Sequence, residues 1–163
     1  MSPRKKVGAA GERFRDVARN RRALHEYQIL ERLEAGIVLQ GTEVKGLRER
    51  GATITDAYVQ IRNGEAWLVG AHISEYDNAG HGGHDPRQTR KLLLHKREIQ
   101  RLASDLAEKG LALVPLRLYF KEGRAKLELG LGRGKTLYDK RRTIAERDAR
   151  READRAVKAV RRR

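Results

Sequence analysis

The sequence predicts a mostly β protein: short antiparallel strands, one long helix inserted among them, and a basic C-terminal tail that becomes helical conditionally. Three observations predict it. Short runs rich in β-branched and aromatic residues are bounded by Gly, Asn and Pro. A single segment ending at Gly110 carries a strong helical stripe. Charge is segregated, with a net +15 divided as +6 in residues 1–22, +6 in residues 139–163 and only +3 between them.

Residues 1–19 are poor in apolar side chains and read as a mobile basic arm. The body follows over residues 20–134, and the basic tail over 135–163. Asn20 suits the cap of a short helical turn. Tyr27, Ile29, Leu33, Ile37, Val38 and Leu39 predict one long strand, bent or bulged near Gly36, with Glu34 aimed sideways beside the bulge. His25 and Glu26 are neighbours and so face opposite sides of a strand, which argues against a proton-transfer pair. Thr42, Val44 and Leu47 fit a short helix capped at its start. Tyr58–Arg62 and Glu65–Val69 flank Asn63-Gly64, the pair preferred in a two-residue type I′ hairpin. Trp67 reads as core.

Residues 74–88 read as a loop. His81, His84 and Asp85 lie close together there, but glycines separate the histidines and no cysteine joins them, so no metal site is expected. Thr89–His95 leads into the best helix, whose stripe is Ile99, Leu102 and Leu106 and whose C′ residue is Gly110. Two strands follow, Leu111–Phe120 and Arg124–Leu131, and Pro115 marks an edge or a bulge in the first. Five or six strands with one inserted helix suit a small closed or nearly closed antiparallel barrel of the OB type, and an α+β sandwich is the alternative.

Gly130, Gly132 and Gly134 alternate with Leu131, Arg133 and Lys135, so backbone can approach something closely, and the basic neighbours suggest phosphate. Gly134-Lys135-Thr136 looks like the end of a nucleotide-binding loop. That pattern needs a glycine where Leu129 stands and a packed helix after the Thr, so it is not one. From Asp139 onward Ala149, Ala153, Ala156, Val157 and Val160 share one helical face. That face is thin, so the tail should be disordered or frayed alone and helical against a partner.

Function classes narrow accordingly. There is no cysteine, hence no thiol nucleophile, disulfide or thiolate metal site. No apolar run reaches ~18 residues and the first residues do not resemble a signal peptide, so a cytoplasmic protein is expected. Basic arms around a nearly balanced body point to a polyanion, most simply nucleic acid. A membrane surface is the rival, but the tail lacks aromatic or leucine anchors. Neither an enzyme nor a cofactor is predicted.

Several blocks then agree in order over residues 19–142: Asn20-Arg21-Arg22-Ala23 with His25-Glu26-Tyr27, Glu34-Ala35-Gly36, Gly41-Thr42-Glu43-Val44-Lys45, Asp85-Pro86, Arg90-Lys91-Leu92-Leu93-Leu94, Leu116-Arg117-Leu118-Tyr119-Phe120, and Arg133-Gly134-Lys135 with Tyr138-Asp139-Lys140-Arg141. Together they resemble the SsrA-binding protein family, small protein B (SmpB). The resemblance implies an OB-like barrel that binds the tRNA-like domain of transfer-messenger RNA (tmRNA, or SsrA RNA) and delivers it to stalled ribosomes for trans-translation. It implies small-subunit rRNA as a further partner, and elongation factor Tu with the charged RNA. Asn20, Arg21, Arg22, Glu34, Lys45, Arg90, Lys91, Lys126, Arg133 and Lys135 would contact RNA. Tyr138, Asp139, Lys140 and Arg141 would serve the decoding region, with the tail in the empty mRNA channel. Thr136, Gly132 and Gln88 depart from the family's usual residues. A general tRNA- or rRNA-binding factor of the OB type is the alternative.

Overall fold

The computed structural model describes residues 6–7, 13–76 and 83–161. Its strands are β1 (Lys6–Val7), β2 (Arg13–Arg19), β3 (Tyr27–Ile37), β4 (Ala52–Thr53), β5 (Tyr58–Arg62), β6 (Glu65–Val69), β7 (His72–Ile73), β8 (Arg90–Leu93), β9 (Ala112–Lys121) and β10 (Arg124–Gly134). Its helices are α1 (Arg21–Glu26), α2 (Gly41–Glu49), α3 (Lys96–Glu108) and α4 (Leu137–Arg161).

Period-two alternation organises the long strands. Leu33, Ala35 and Ile37 of β3, Leu127, Leu129 and Leu131 of β10, and Leu118 and Phe120 of β9 share one core with Leu68, Leu92 and Leu102. The residues between them face outward. Eight strands form one antiparallel sheet in the order β1-β2-β9-β10-β3-β8-β6-β5, and β4 and β7 pair separately. β5, last in that order, packs against β9. The sheet is thus the predicted antiparallel one with helices at its margins, although no ladder joins β5 to β9.

The hairpin forms as read: Asn63 and Gly64 both take positive φ, 53° and 73°, as a type I′ turn requires. Glu122 and Gly123 do the same between β9 and β10. α3 buries Leu102 completely, and Gly110 follows its last residues at φ 61°.

Five readings need correction. Residues 13–19 are not an arm but β2, paired with β9; residues 1–5 and 8–12 lie outside the described residues. The bulge in β3 is at Leu30, not Gly36: Leu131 pairs with Glu31 and Gly132 with Ile29, while Gly36 stays in register with Lys126. Residues 90–93 are a strand, β8, between β3 and β6, because Arg90 and Leu92 alternate inward. α2 begins at Gly41, and the Glu43 carboxylate, not Thr42, accepts the Gln40 N–H at 2.9 Å. Two of the three β10 glycines make room for protein: a Cβ at Gly130 would lie 2.9 Å from Leu116, and one at Gly132 would lie 2.8 Å from the Gln28 carbonyl, whereas one at Gly134 would meet nothing within 4 Å.

Pro115 does mark a bulge. Leu129 pairs with Pro115 and Glu128 with Arg117, leaving Leu116 unpaired. Leu116 joins Ala23 and Val114, with Tyr27 and Ile29, in a second small apolar cluster that seats α1.

Candidate nucleic-acid interface

The outward positions of β2, β9, β10 and β3 form a connected charged surface. Glu34 and Glu128 stand directly opposite one another, an unfavourable pairing unless each is compensated. Glu128 receives Arg32 at 2.8 Å and Arg117 at 3.4 Å, and Arg117 reaches on to Asp16 at 3.3 Å. Asp16 also holds Arg19 at 2.6 Å. Glu34 accepts the Tyr119 hydroxyl, and its other oxygen lies 3.5 Å from the Lys121 ammonium. Burial, then the Glu34 carboxylate, raises the Tyr119 hydroxyl pKa well above the ordinary tyrosine value. Arg117 stacks on the Tyr119 ring at 4.3 Å and Lys121 on Phe14 at 5.7 Å. The Arg117 guanidinium plane is thereby set against an aromatic ring and the Lys121 charge is placed beside it, which suits bases and phosphates.

This surface explains where the predicted residues fall. Glu34 is on it, and Lys126 stands on the same face, across from Tyr119 and Gly36. Lys91 is farther along, opposite Trp67, with its ammonium 3.0 Å from Glu65. Arg21 and Arg22 are exposed on α1, and Arg22 pairs with Glu26 at 2.8 Å. Lys45 is on α2 with its ammonium 5.3 Å from the Tyr76 ring centre. Arg133 is exposed near the end of β10 and shares a concavity with Leu30 and Arg101, where Arg101 grips Glu31 through both oxygens.

Two residues expected at RNA are buried within the protein. Asn20 is 4% exposed: its N–H donates to Leu116 O at 2.8 Å, its amide to Pro115 O at 2.9 Å, and its Oδ1 accepts from Ala23 N at 3.1 Å. It plugs the β9 bulge and caps α1 at once. Arg90 is 2% exposed and donates to Glu43 at 2.8 Å and to the carbonyls of Ala71, Asp85 and Pro86. Glu43 also accepts from Gln88, so that departure has a place in the buried network. His84 is buried there too, 3.0 Å from Ile73 O and 3.2 Å from the Thr42 hydroxyl, while His81 lies outside the described residues.

Lys135 is a latch. Its ammonium donates to Leu24 O at 3.0 Å and to the Thr143 hydroxyl at 2.7 Å, tying α1 to α4. Thr136 starts α4. The Asp139 N–H donates to the Thr136 hydroxyl at 3.3 Å, and the Asp139 carboxylate accepts from the Thr136 N–H at 3.4 Å, a reciprocal cap. Beyond it, residues 137–161 form one continuous helix, α4. That cap, its alanine content and pairs such as Arg142–Glu146 at 3.2 Å favour helix locally. Tyr138 is 74% exposed, Arg141 is exposed, Lys140 is half-buried, and every residue from 144 to 161 is exposed.

The sequence reading missed Arg19, Arg32 and Glu128 as members of the surface. Arg117 and Tyr119 were read only as parts of a family block. Lys126 and Glu128 alternate with Leu127 and Leu129 in the sequence, a half-buried pattern, but ion pairing across four strands is invisible without the register.

Fold and surface together define a small antiparallel β protein equipped for a polyanion, with a rigid cation–aromatic face and a free cationic helix. The chain belongs to the SmpB protein family, whose model matches residues 17–159. An SsrA-binding protein of Desulforudis audaxviator (strain MP104C) is 54% identical over 149 residues, covering 91% of this chain and 97% of that one. Another, of Pelotomaculum thermopropionicum, is 55% identical over 142 residues, covering 87% and 93%. A solved structure described as "tmRNA-SmpB: a journey to the center of the bacterial ribosome" matches with a TM-score of 0.63 at 48% identity, over 76% of this chain and 87% of that chain.

Proposed function

We propose that this protein binds the tRNA-like domain of tmRNA and delivers it to stalled ribosomes for trans-translation. The observation that carries the reading is the division of labour between a structured arginine face on the body and an uncovered cationic helix beyond Lys135, in a chain about half identical to SsrA-binding proteins. RNA of tRNA-like shape is recognised by backbone, 2′-hydroxyls and exposed loop bases, and stacked guanidiniums with spaced carboxylates meet all three. Glu34 accepts hydrogen bonds from the RNA, and Arg21, Arg22, Lys91 and Lys126 meet phosphate.

α4 serves the ribosome. Its 25 residues span about 38 Å at 1.5 Å per residue, enough to run along the empty mRNA channel. Tyr138, exposed in its first turn, stacks in the decoding region, and Lys140 and Arg141 pair with rRNA phosphates. The protein acts by binding, in the cytoplasm, with elongation factor Tu bringing the charged tmRNA. Among the described residues no helix is long and apolar enough to cross a membrane.

A gel shift of the full chain with tmRNA against a large excess of tRNA tests the reading. Retention of the tmRNA complex is expected. Equal competition by tRNA, or enrichment of only tRNA and rRNA in a pulldown, would replace it with a general tRNA- or rRNA-binding role.

A further inference from the structure

Where α1 meets the outer face, the surface sinks into a concavity of about 380 Å³ lined by Leu24, Leu116, Arg21, Arg32, Arg117 and Glu128, among others. It exists because Asn20 pins α1 over the β9 bulge while Arg32 and Arg117 converge on Glu128 from the strands on either side. Its size is near the lower end of small-ligand sites, which run from about 300 Å³.

The lining is mixed in a particular way. Leu24 and Leu116 supply apolar surface, and Leu24 is 38% exposed beside charged neighbours. Arg32 and Arg117 are planar groups held by carboxylates. The Arg117 Nε is buried, 3.4 Å from Glu128 Oε2 without a hydrogen bond to it. Arg21 is exposed at the same concavity, and among the described residues its side chain has no hydrogen bond or ion pair. A phosphate would use Arg21 and the other arginines but would leave the Glu128 carboxylate and the leucines without a role. A nucleobase fits both: its faces lie against guanidinium planes and leucine, and its N–H edge donates to a carboxylate.

We propose that this concavity takes one unstacked nucleotide of an RNA loop, base inward. Glu128 accepts the base's N–H groups, Arg32 and Arg117 flank the ring, and Arg21 meets the phosphate. Guanine suits it best, since its imino and amino N–H groups are adjacent and can meet both carboxylate oxygens. The proposal rests on the RNA-binding reading and names the site that selects a base within it.

Two measurements on the full chain test it. In the first, GMP, UMP and inorganic phosphate are titrated while the arginine Nε–H resonances are followed by NMR. GMP should shift Arg32 and Arg117, and phosphate should shift mainly Arg21. Equal shifts of Arg32 and Arg117 by all three would mean an anion site only and overturn the proposal. In the second, Glu128→Gln, and Leu24→Trp, which fills the concavity without touching the ion pairs, are compared with the parent for tmRNA affinity and melting. Each should weaken binding by roughly tenfold, the scale of one base-edge contact. Should Glu128→Gln unfold, Leu24→Trp decides alone. Parent-like affinity in folded variants overturns the nucleotide site and leaves tmRNA binding standing, whereas failure of the parent to bind tmRNA sinks the function itself.

Discussion

Arginines on the sheet and arginines on α4 carry the same charge and do different work. On the sheet, Arg19, Arg32 and Arg117 are tied to Asp16 and Glu128, so their planes are fixed and much of their charge is neutralised. On α4 the cations from residue 144 onward are exposed on an unburied helix, and their charge is available to any phosphate within a Debye length, about 8 Å at physiological salt. Charge density alone would have assigned RNA recognition to the tail. On the proposed reading the body, whose arginines are held against carboxylates, recognises RNA selectively, and the tail adds a less selective electrostatic grip.

Cutting the chain after Leu137 breaks the comparison most severely. The body keeps every strand and the α3 stripe, so it should fold and retain tmRNA, with a shallower salt dependence of affinity because each lost phosphate contact removes about 0.7–0.9 from the log–log slope. Peptide tagging on stalled ribosomes should fall to background. Tagging at the full-length rate would make the tail a solvated appendage.

Arg90→Ala and Lys126→Ala compare an internal cation with an external one. Loss of Arg90 leaves Glu43 buried and unpaired, which should cost about 3–5 kcal/mol and appear as a large fall in the denaturation midpoint. Lys126→Ala should melt like the parent and bind tmRNA a few-fold more weakly. If Arg90→Ala melts normally and loses only RNA binding, Arg90 is a contact after all.

Glu34→Ala separates holding from recognising. It orphans the buried Tyr119 hydroxyl, so about 1–3 kcal/mol of stability should be lost. Adding Tyr119→Phe should restore much of the stability but not the tmRNA affinity; recovery of both would show that Glu34 is structural. Tyr119 also sets an alkaline limit. Its pKa in the fold lies above its unfolded value of about 10, so its contribution is intact below that pH and lost as pH rises beyond it. Thermal melts from pH 8 to 11 should decline less steeply in Tyr119→Phe than in the parent.

Thr136→Ala gives the smallest effect, about 1 kcal/mol of helix stability through loss of the N-terminal cap. Far-UV circular dichroism should show reduced helicity with an unchanged body, and Thr136→Ser should restore it. Asp139→Ala should behave the same way if its first duty is to the cap. A Thr136→Ala tail as helical as the parent would show that propensity alone sustains α4.

Much of this molecule was legible beforehand, element by element. The Asn63-Gly64 hairpin, the α3 stripe and the Pro115 irregularity rest on local backbone preference and periodicity, so nearby residues suffice to reveal them. The family followed from ordered blocks. β2 was missed because its neighbours look like a solvated arm, and only the open edge of β9 makes it a strand. Asn20 was legible as a helix cap, but only the family resemblance carried it and Arg90 to RNA; their burial is possible because carbonyls and Glu43, distant in sequence, converge on them. The β10 glycines suggested phosphate, yet Leu116 and the Gln28 carbonyl occupy the space at Gly130 and Gly132, and only Gly134 is open.

By itself, then, the order of residues specified an antiparallel β body, its hairpins, its one strongly amphipathic helix, the segregation of charge and the family, since all of these depend on short-range pattern or on composition. The position of the bulges, the partners of each buried polar group, the chain of ion pairs across four strands and the concavity under α1 were settled by tertiary contact. They depend on register, and a one-residue shift in pairing would turn every side chain of a strand to the opposite face.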